Sequence, residues 1–204
     1  MAILNARTAD RRVTRRRGWA VGIAGLCILL WSCFAQNTFA EDRTPTEYEV
    51  KSAFLFNFAK FTEWPAEILN SSNAPIRIGI IGNTPLASDL PSLVGNKKIE
   101  QHPVQIEVYD DIPSPPPHIL FIAKSERGRS SRLLLKIRSQ PVLTVSEVDG
   151  FCESGGMINF KLEGSERRKV RFEINNKAAG RHGLKLSSKL LGVAARLVET
   201  DYEP

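Results

Sequence analysis

The stretch Ile76-Arg77-Ile78-Gly79-Ile80-Ile81-Gly82-Asn83-Thr84-Pro85 decides the fold class. β-Branched isoleucines crowd a helix but sit well on a pleated strand, and Gly82-Asn83 with Pro85 punctuates the run before a helical pattern that continues to Leu93. An almost continuous apolar strand followed by a helix needs cover on both faces, the situation of a parallel sheet between helices. The pattern recurs downstream. Residues 104–108 read as a second strand, 118–123 as a third followed by a helix over about 125–139, and 142–145 as a fourth. Pro113, Pro115, Pro116 and Pro117 make the connection before the third strand stiff and non-helical.

Upstream, residues 46–64 read as a helix. Thr46 is placed to cap it, Glu49 three residues on completes a capping box, and Pro65 ends it. Val50, Phe54, Phe58 and Phe61 recur one turn apart as the core-facing stripe, with Leu55 beside them. Phe56 is the odd aromatic, about 200° around the helix from Phe54. It is either covered by another element or an anchor for a partner. Downstream, 157–162 and 169–174 alternate as strands about a polar turn, an antiparallel hairpin. The hairpin separates Ile158, Phe160, Val170, Phe172 and Ile174 from Asn159, Arg171 and Glu173. A short helix over 175–179 and an amphipathic one over 187–198 complete the chain. The expected fold is therefore α/β: a mostly parallel central sheet flanked by helices, with a C-terminal antiparallel hairpin at the edge.

The chain has 204 residues and a net charge of +6, but six arginines against Asp10 concentrate +5 of it in residues 1–40. Residues 41–204 carry a net +1, too little for the electrostatic footprint of a nucleic-acid binder. The same 40 residues have a basic start, an apolar run from Trp19 to Phe34, and small residues at Ala35 and Ala40. They read as an export signal cleaved after Ala40, or as an uncleaved anchor, which gives a periplasmic location and a single domain over 41–204. Cleavage removes Cys27 and Cys33 and leaves Cys152 alone, either buried and inert or available to another chain.

Residue types give little support to an enzyme. His102, His118 and His182 are scattered without metal-ligand spacing, and one thiol argues against zinc. Gly79 and Gly82 do not make a dinucleotide fingerprint, and Gly155-Gly156 precedes a strand rather than a helix. No G-x-S-x-G elbow occurs. The expectation is a binding protein without cofactor, metal or catalytic residues. A small-ligand sensor remains the alternative, using the crevice between residues 82–84 and 124–126 at the strand ends.

Four segments carry a resemblance: EYEVKSAFLFNFAKFTEWP over 47–65, GGMINF over 155–160, VRFEIN over 170–175 and GLKLSSKLL over 183–191. In order and spacing they resemble the YfiR-like family of periplasmic repressors of membrane-bound diguanylate cyclases. The resemblance implies a homodimer that binds the periplasmic domain of an inner-membrane cyclase or sensor kinase and holds it inactive. It also implies release by an envelope signal, for which an outer-membrane or peptidoglycan-associated protein is a candidate. On this reading Phe56, Phe151, Ile158 and Glu173 face the partner; the alternative for Phe151 and Ile158 is that they are core. Members known for redox control pair two cysteines. Here Cys152 takes one place and Asn159 the other, which leaves only an intermolecular bridge as a redox route.

Overall fold

The computed structural model describes residues 44–200 apart from 70, 72, 166 and 167. The export segment expected over 1–40, its cleavage after Ala40, Cys27 and Cys33 lie outside the described residues. In chain order the elements are α1 (Glu47–Lys60), β1 (Thr62–Glu63), β2 (Ile76–Ile81), α2 (Leu86–Val94), β3 (Lys98–Ile99), β4 (His102–Tyr109), β5 (Ile119–Ile122), a 3-10 turn (Lys124–Arg129), α3 (Ser130–Ile137), β6 (Leu143–Ser146), β7 (Ile158–Glu163), β8 (Lys169–Ile174), α4 (Asn176–Arg181), β9 (Lys185–Leu186), α5 (Ser188–Gly192) and β10 (Arg196–Leu197). The main sheet has the strand order β10-β8-β7-β6-β5-β2-β4-β3. From β7 through β4 neighbouring strands are parallel, β8 returns antiparallel along β7, and β3 is antiparallel to β4. The mostly parallel sheet with antiparallel strands toward its C-terminal edge is the architecture expected from the sequence.

Strand β2 shows why its apolar run is unbroken. Ile76, Ile78 and Ile80 enter the core beneath α1 and α2, whereas Ile81 joins Leu120, Ile122, Leu133 and Ile137 on the opposite face. Gly79 lies on that second face, where a Cβ would stand 2.8 Å from Pro117 and 3.0 Å from Tyr109. The backbone is thus approached too closely for any side chain there.

Helix α1 begins as read. Glu49 N–H donates to the Thr46 hydroxyl at 3.2 Å, and Thr46 N–H donates to the Glu49 carboxylate at 2.7 Å. It ends at Lys60 rather than at Trp64, because the Phe61 N–H closes the last turn on Asn57 and Phe58 carbonyls and β1 pairs with β9. Its fully buried line is Lys51, Ser52, Leu55, Phe58 and Ala59, with Phe54 and Phe61 only half-buried. The helix is rotated from the expected stripe since it packs on α2 as well as on β8. Phe58 meets Phe172 edge-on at 5.0 Å and Phe160 at 5.6 Å, and Phe54 meets Phe172 at 5.2 Å.

The C-terminal helix is the larger correction. Only Ser188–Gly192 is helical, and the chain then extends as β10 along the free edge of β8. Gly192 is a weak helix former, and the exposed β8 edge offers carbonyls that a helix would leave unpaired. Ala195 N–H donates to Phe172 O at 2.8 Å and Val198 N–H to Ile174 O at 2.7 Å. The hairpin is therefore one strand in from the sheet edge. Likewise 125–139 divides into the 3-10 turn and the shorter α3.

Gly156 sits beneath the Phe151 ring, where a Cβ would come within 2.2 Å of ring carbon Cε1. Phe151 is 1% exposed and cannot swing clear without disturbing its own packing. Gly156→Ala is expected to lower stability by about 1–3 kcal/mol as an overpacked core does. A urea unfolding midpoint equal to wild type would show that the turn yields freely.

Candidate partner-binding site

The residues singled out from sequence fall on both faces of the sheet. Phe56 on α1 is half-buried, packed against the main core with part of its ring accessible. Ile158, at 0% exposure, lies in that same core beneath α1. Phe151 belongs to the core of the opposite face, next to Cys152 in the loop before β7. Glu173 also points to that second face, since its neighbours Phe172 and Ile174 are held in the main core. Of these side chains, Phe56 alone combines an aromatic body with a half-exposed position. Ile158 and Phe151 are core residues in this chain, so a contact through them requires displacement of what covers them.

Around Cys152 the second face is polar as well as buried. Asn159 and Glu173 are directly opposed across β7 and β8. Both polar atoms of the Asn159 side chain and one oxygen of Glu173 are buried without a partner among the described residues. The other Glu173 oxygen accepts from Arg196 Nε at 2.9 Å, and Arg196 also reaches Glu153. The Cys152 thiol lies 3.6 Å from Met157 O and 3.7 Å from Glu173 O. Burial, followed by the Glu173 and Glu153 carboxylates, pushes the thiol far above its ordinary range. Of the two readings of this cysteine the geometry favours the buried, unreactive one, because a neutral thiol is a poor nucleophile.

Sequence reasoning missed a buried charge cluster on α1. Lys51 is 2% exposed, and its Nζ lies 2.5 Å from both a Glu47 and a Glu147 carboxylate oxygen. The same ammonium stands 4.5 Å from the centre of the Tyr48 ring. Desolvation alone lowers the lysine pKa, but the hydrogen bonds to Glu147 and Glu47 outweigh it and the pKa is raised. The Glu47–Lys51 spacing of one turn was a readable signal. Glu147, from the distant end of β6, was not. Arg196 was equally hidden, because it was read as part of a helix.

The crevice proposed for a small ligand between β2 and β5 is filled. Asn83 N–H donates to the Ser125 hydroxyl at 2.9 Å, and a Cβ on Gly82 would lie 2.6 Å from both Ser125 and Glu126. Each histidine is engaged by backbone. His102 Nδ1 lies 2.8 Å from Ala74 O, His182 Nδ1 2.9 Å from Ala178 O, and His118 Nδ1 accepts from Arg77 N–H at 2.9 Å.

Fold and site together describe an α/β domain whose polar groups serve to position one helix and one hairpin. The sequence profile of the YfiR/HmsC-like family matches residues 48–195, and the chain belongs to that family. At family level this makes it one of the periplasmic regulators of diguanylate cyclase signalling, a group of regulatory proteins rather than known enzymes. A comparison with curated proteins finds no match. Among the described residues no helix is long and apolar enough to cross a membrane.

His118 supplies a pH test of the fold that positions α1. Burial first, then the Arg77 and His102 charges, lower its pKa from 6.5 to about 4, against a weaker upward pull from the Ile68 backbone. The unfolded state therefore binds more protons between these values, so stability is full above about pH 6.5 and falls as pH drops toward 4. The fall should reach about 3 kcal/mol at most. His118→Asn, which keeps an acceptor for Arg77 N–H, should flatten this slope in urea titrations at pH 7 and 5. An equal slope in both proteins would contradict the assignment.

Proposed function

We propose that the protein is exported, cleaved after Ala40, and acts in the periplasm as a homodimer that represses an inner-membrane diguanylate cyclase. It binds the periplasmic sensor domain of the cyclase, and the bound cyclase makes less cyclic di-GMP, which lowers biofilm formation. The family match across residues 48–195 carries this reading. Support at the level of residues comes from Phe56, a half-buried aromatic on a helix clamped at both ends. Rigid aromatic anchors of this kind dominate binding energies at interfaces.

The mechanism is linkage. A repressor that binds the inactive sensor conformation about 100-fold more tightly than the active one can shift the population between them by about that factor. A releasing protein of the outer membrane or peptidoglycan competes for the repressor and removes the bias. The cyclase chemistry stays across the membrane, so the repressor needs no cofactor. Phe151 and Glu173 contribute by holding the β7–β8 end of the domain in shape, and Ile158 by supporting α1 from beneath.

Deletion of the gene should raise intracellular cyclic di-GMP, with reversal by the exported protein and not by a version lacking residues 1–40. No change across several growth conditions would overturn repression of a cyclase and favour service to a sensor kinase instead. Phe56→Ala should weaken repression through a loss of about 2 kcal/mol in partner binding, roughly 30-fold in affinity. Its melting temperature should fall only modestly, because the ring is half-buried. A drop in stability of about 3 kcal/mol with unchanged affinity would instead assign Phe56 to the core.

A further inference from the structure

Beside the filled crevice, a cavity of about 510 Å³ opens over the carboxyl ends of β5 and β6, against the first turn of α1. Tyr48, Lys124, Glu147, Phe160, Lys161 and Arg168 are among its lining residues. The volume is in the range that small-molecule sites occupy, and the ends of parallel strands are where α/β sheets place them. Its charges are unevenly satisfied. The carboxylates of Glu47 and Glu147 are both engaged by Lys51, and Asp149 lies 3.5 Å from Lys161. Lys124 and Arg168 are exposed, and neither side chain has an ion-pair or hydrogen-bond partner among the described residues. Three acids and four bases line the cavity, a net charge of +1, and the two bases without a side-chain partner among the described residues are Lys124 and Arg168.

We propose that this cavity binds a small oxyanion, a carboxylate or a phosphate, between Lys124 and Arg168. Charge-assisted hydrogen bonds from an ammonium and a guanidinium suit such a group. The Tyr48 hydroxyl stands 3.4 Å from both Glu147 oxygens, longer than an ordinary O–H···O bond, so it can turn to donate to the ligand. The rings of Tyr48 and Phe160 form the apolar side of the cavity and accommodate a short carbon skeleton attached to the anion. Lys51 also lines the cavity but remains with its two glutamates, at 2% exposure. The ligand instead reaches Tyr48 at the start of α1, the same helix that carries Phe56. The site stands on its own geometry and does not require the cyclase reading.

The test follows backbone amide shifts of the exported protein by NMR during titration with inorganic phosphate and, separately, with succinate. Sodium chloride at equal ionic strength is the reference. Saturable shifts at Tyr48, Lys124 and Glu147 are expected with at least one of the two anions, and the anion that saturates assigns the ligand to phosphates or carboxylates. Lys124→Ala and Arg168→Ala should each weaken that binding by about tenfold or more, with melting temperatures unchanged because both side chains are exposed. Arg132→Ala, an exposed arginine away from the cavity, should leave it unaltered. Shifts that merely follow ionic strength, or saturation that persists in both cavity variants, would overturn the proposal whatever the outcome of the cyclase experiment.

Discussion

The packing of Phe58 against Phe160 and Phe172 joins the N-terminal helix to the C-terminal hairpin, and the remaining architecture is arranged around that contact. Phe58 is fully buried with its ring 5.0 Å from Phe172 and 5.6 Å from Phe160, and Phe54 meets Phe172 from the next turn. These residues are about a hundred positions apart in the chain, so the contact closes the domain across its whole length. Truncation of one such buried ring costs about 3–5 kcal/mol, a large part of the 5–15 kcal/mol by which domains are stable. Helix α1 can therefore present Phe56 in a fixed direction only while the hairpin is formed.

A second clamp holds the beginning of the same helix. Lys51 is taken almost wholly out of water between Glu47 and Glu147, and Glu147 follows the last residue of β6. Burial of an ion pair is often neutral beside an apolar replacement, yet removal of one partner costs about 3–5 kcal/mol. The cluster thus contributes direction more than net stability: an ammonium needs its carboxylates at one register of helix on sheet. Aromatic packing holds one end of α1 and charge the other. The helix is also capped at its start by Thr46 and Glu49, and together these contacts explain how a helix with little amphipathic contrast is nonetheless fixed in place.

Much of this was legible in the sequence because it is local. The Thr46–Glu49 capping box, the strand 76–81 and both hairpin strands follow from periodicity and turn chemistry, and each lies where read save that the first hairpin strand, read over 157–162, is shifted by one residue to Ile158–Glu163. The errors came from pairing between distant segments. Residues 196–197 have a helical pattern but extend to complete the edge of β8, and 62–63 leave α1 to pair with 185–186. No local rule signals a free edge elsewhere in the fold. The site shows the same division. Phe56 was recognisable as an aromatic off the core stripe, whereas the partners of Lys51, Cys152 and Glu173 depend on which strand ends meet. Cys152 could be counted in the sequence, but its burial beside Glu173 is a tertiary fact.

For the regulatory reading, these constraints describe a rigid presenting surface with its chemistry confined to recognition. The domain needs only to prefer one conformation of its target, and a helix anchored at both ends provides such a preference without large rearrangement of its own. The most direct measurement is calorimetric titration of the exported protein with the isolated periplasmic domain of an inner-membrane diguanylate cyclase from the same organism. The account predicts saturable binding at micromolar affinity or tighter, about −8 kcal/mol or more favourable. Absence of binding to every such domain of that organism would contradict it.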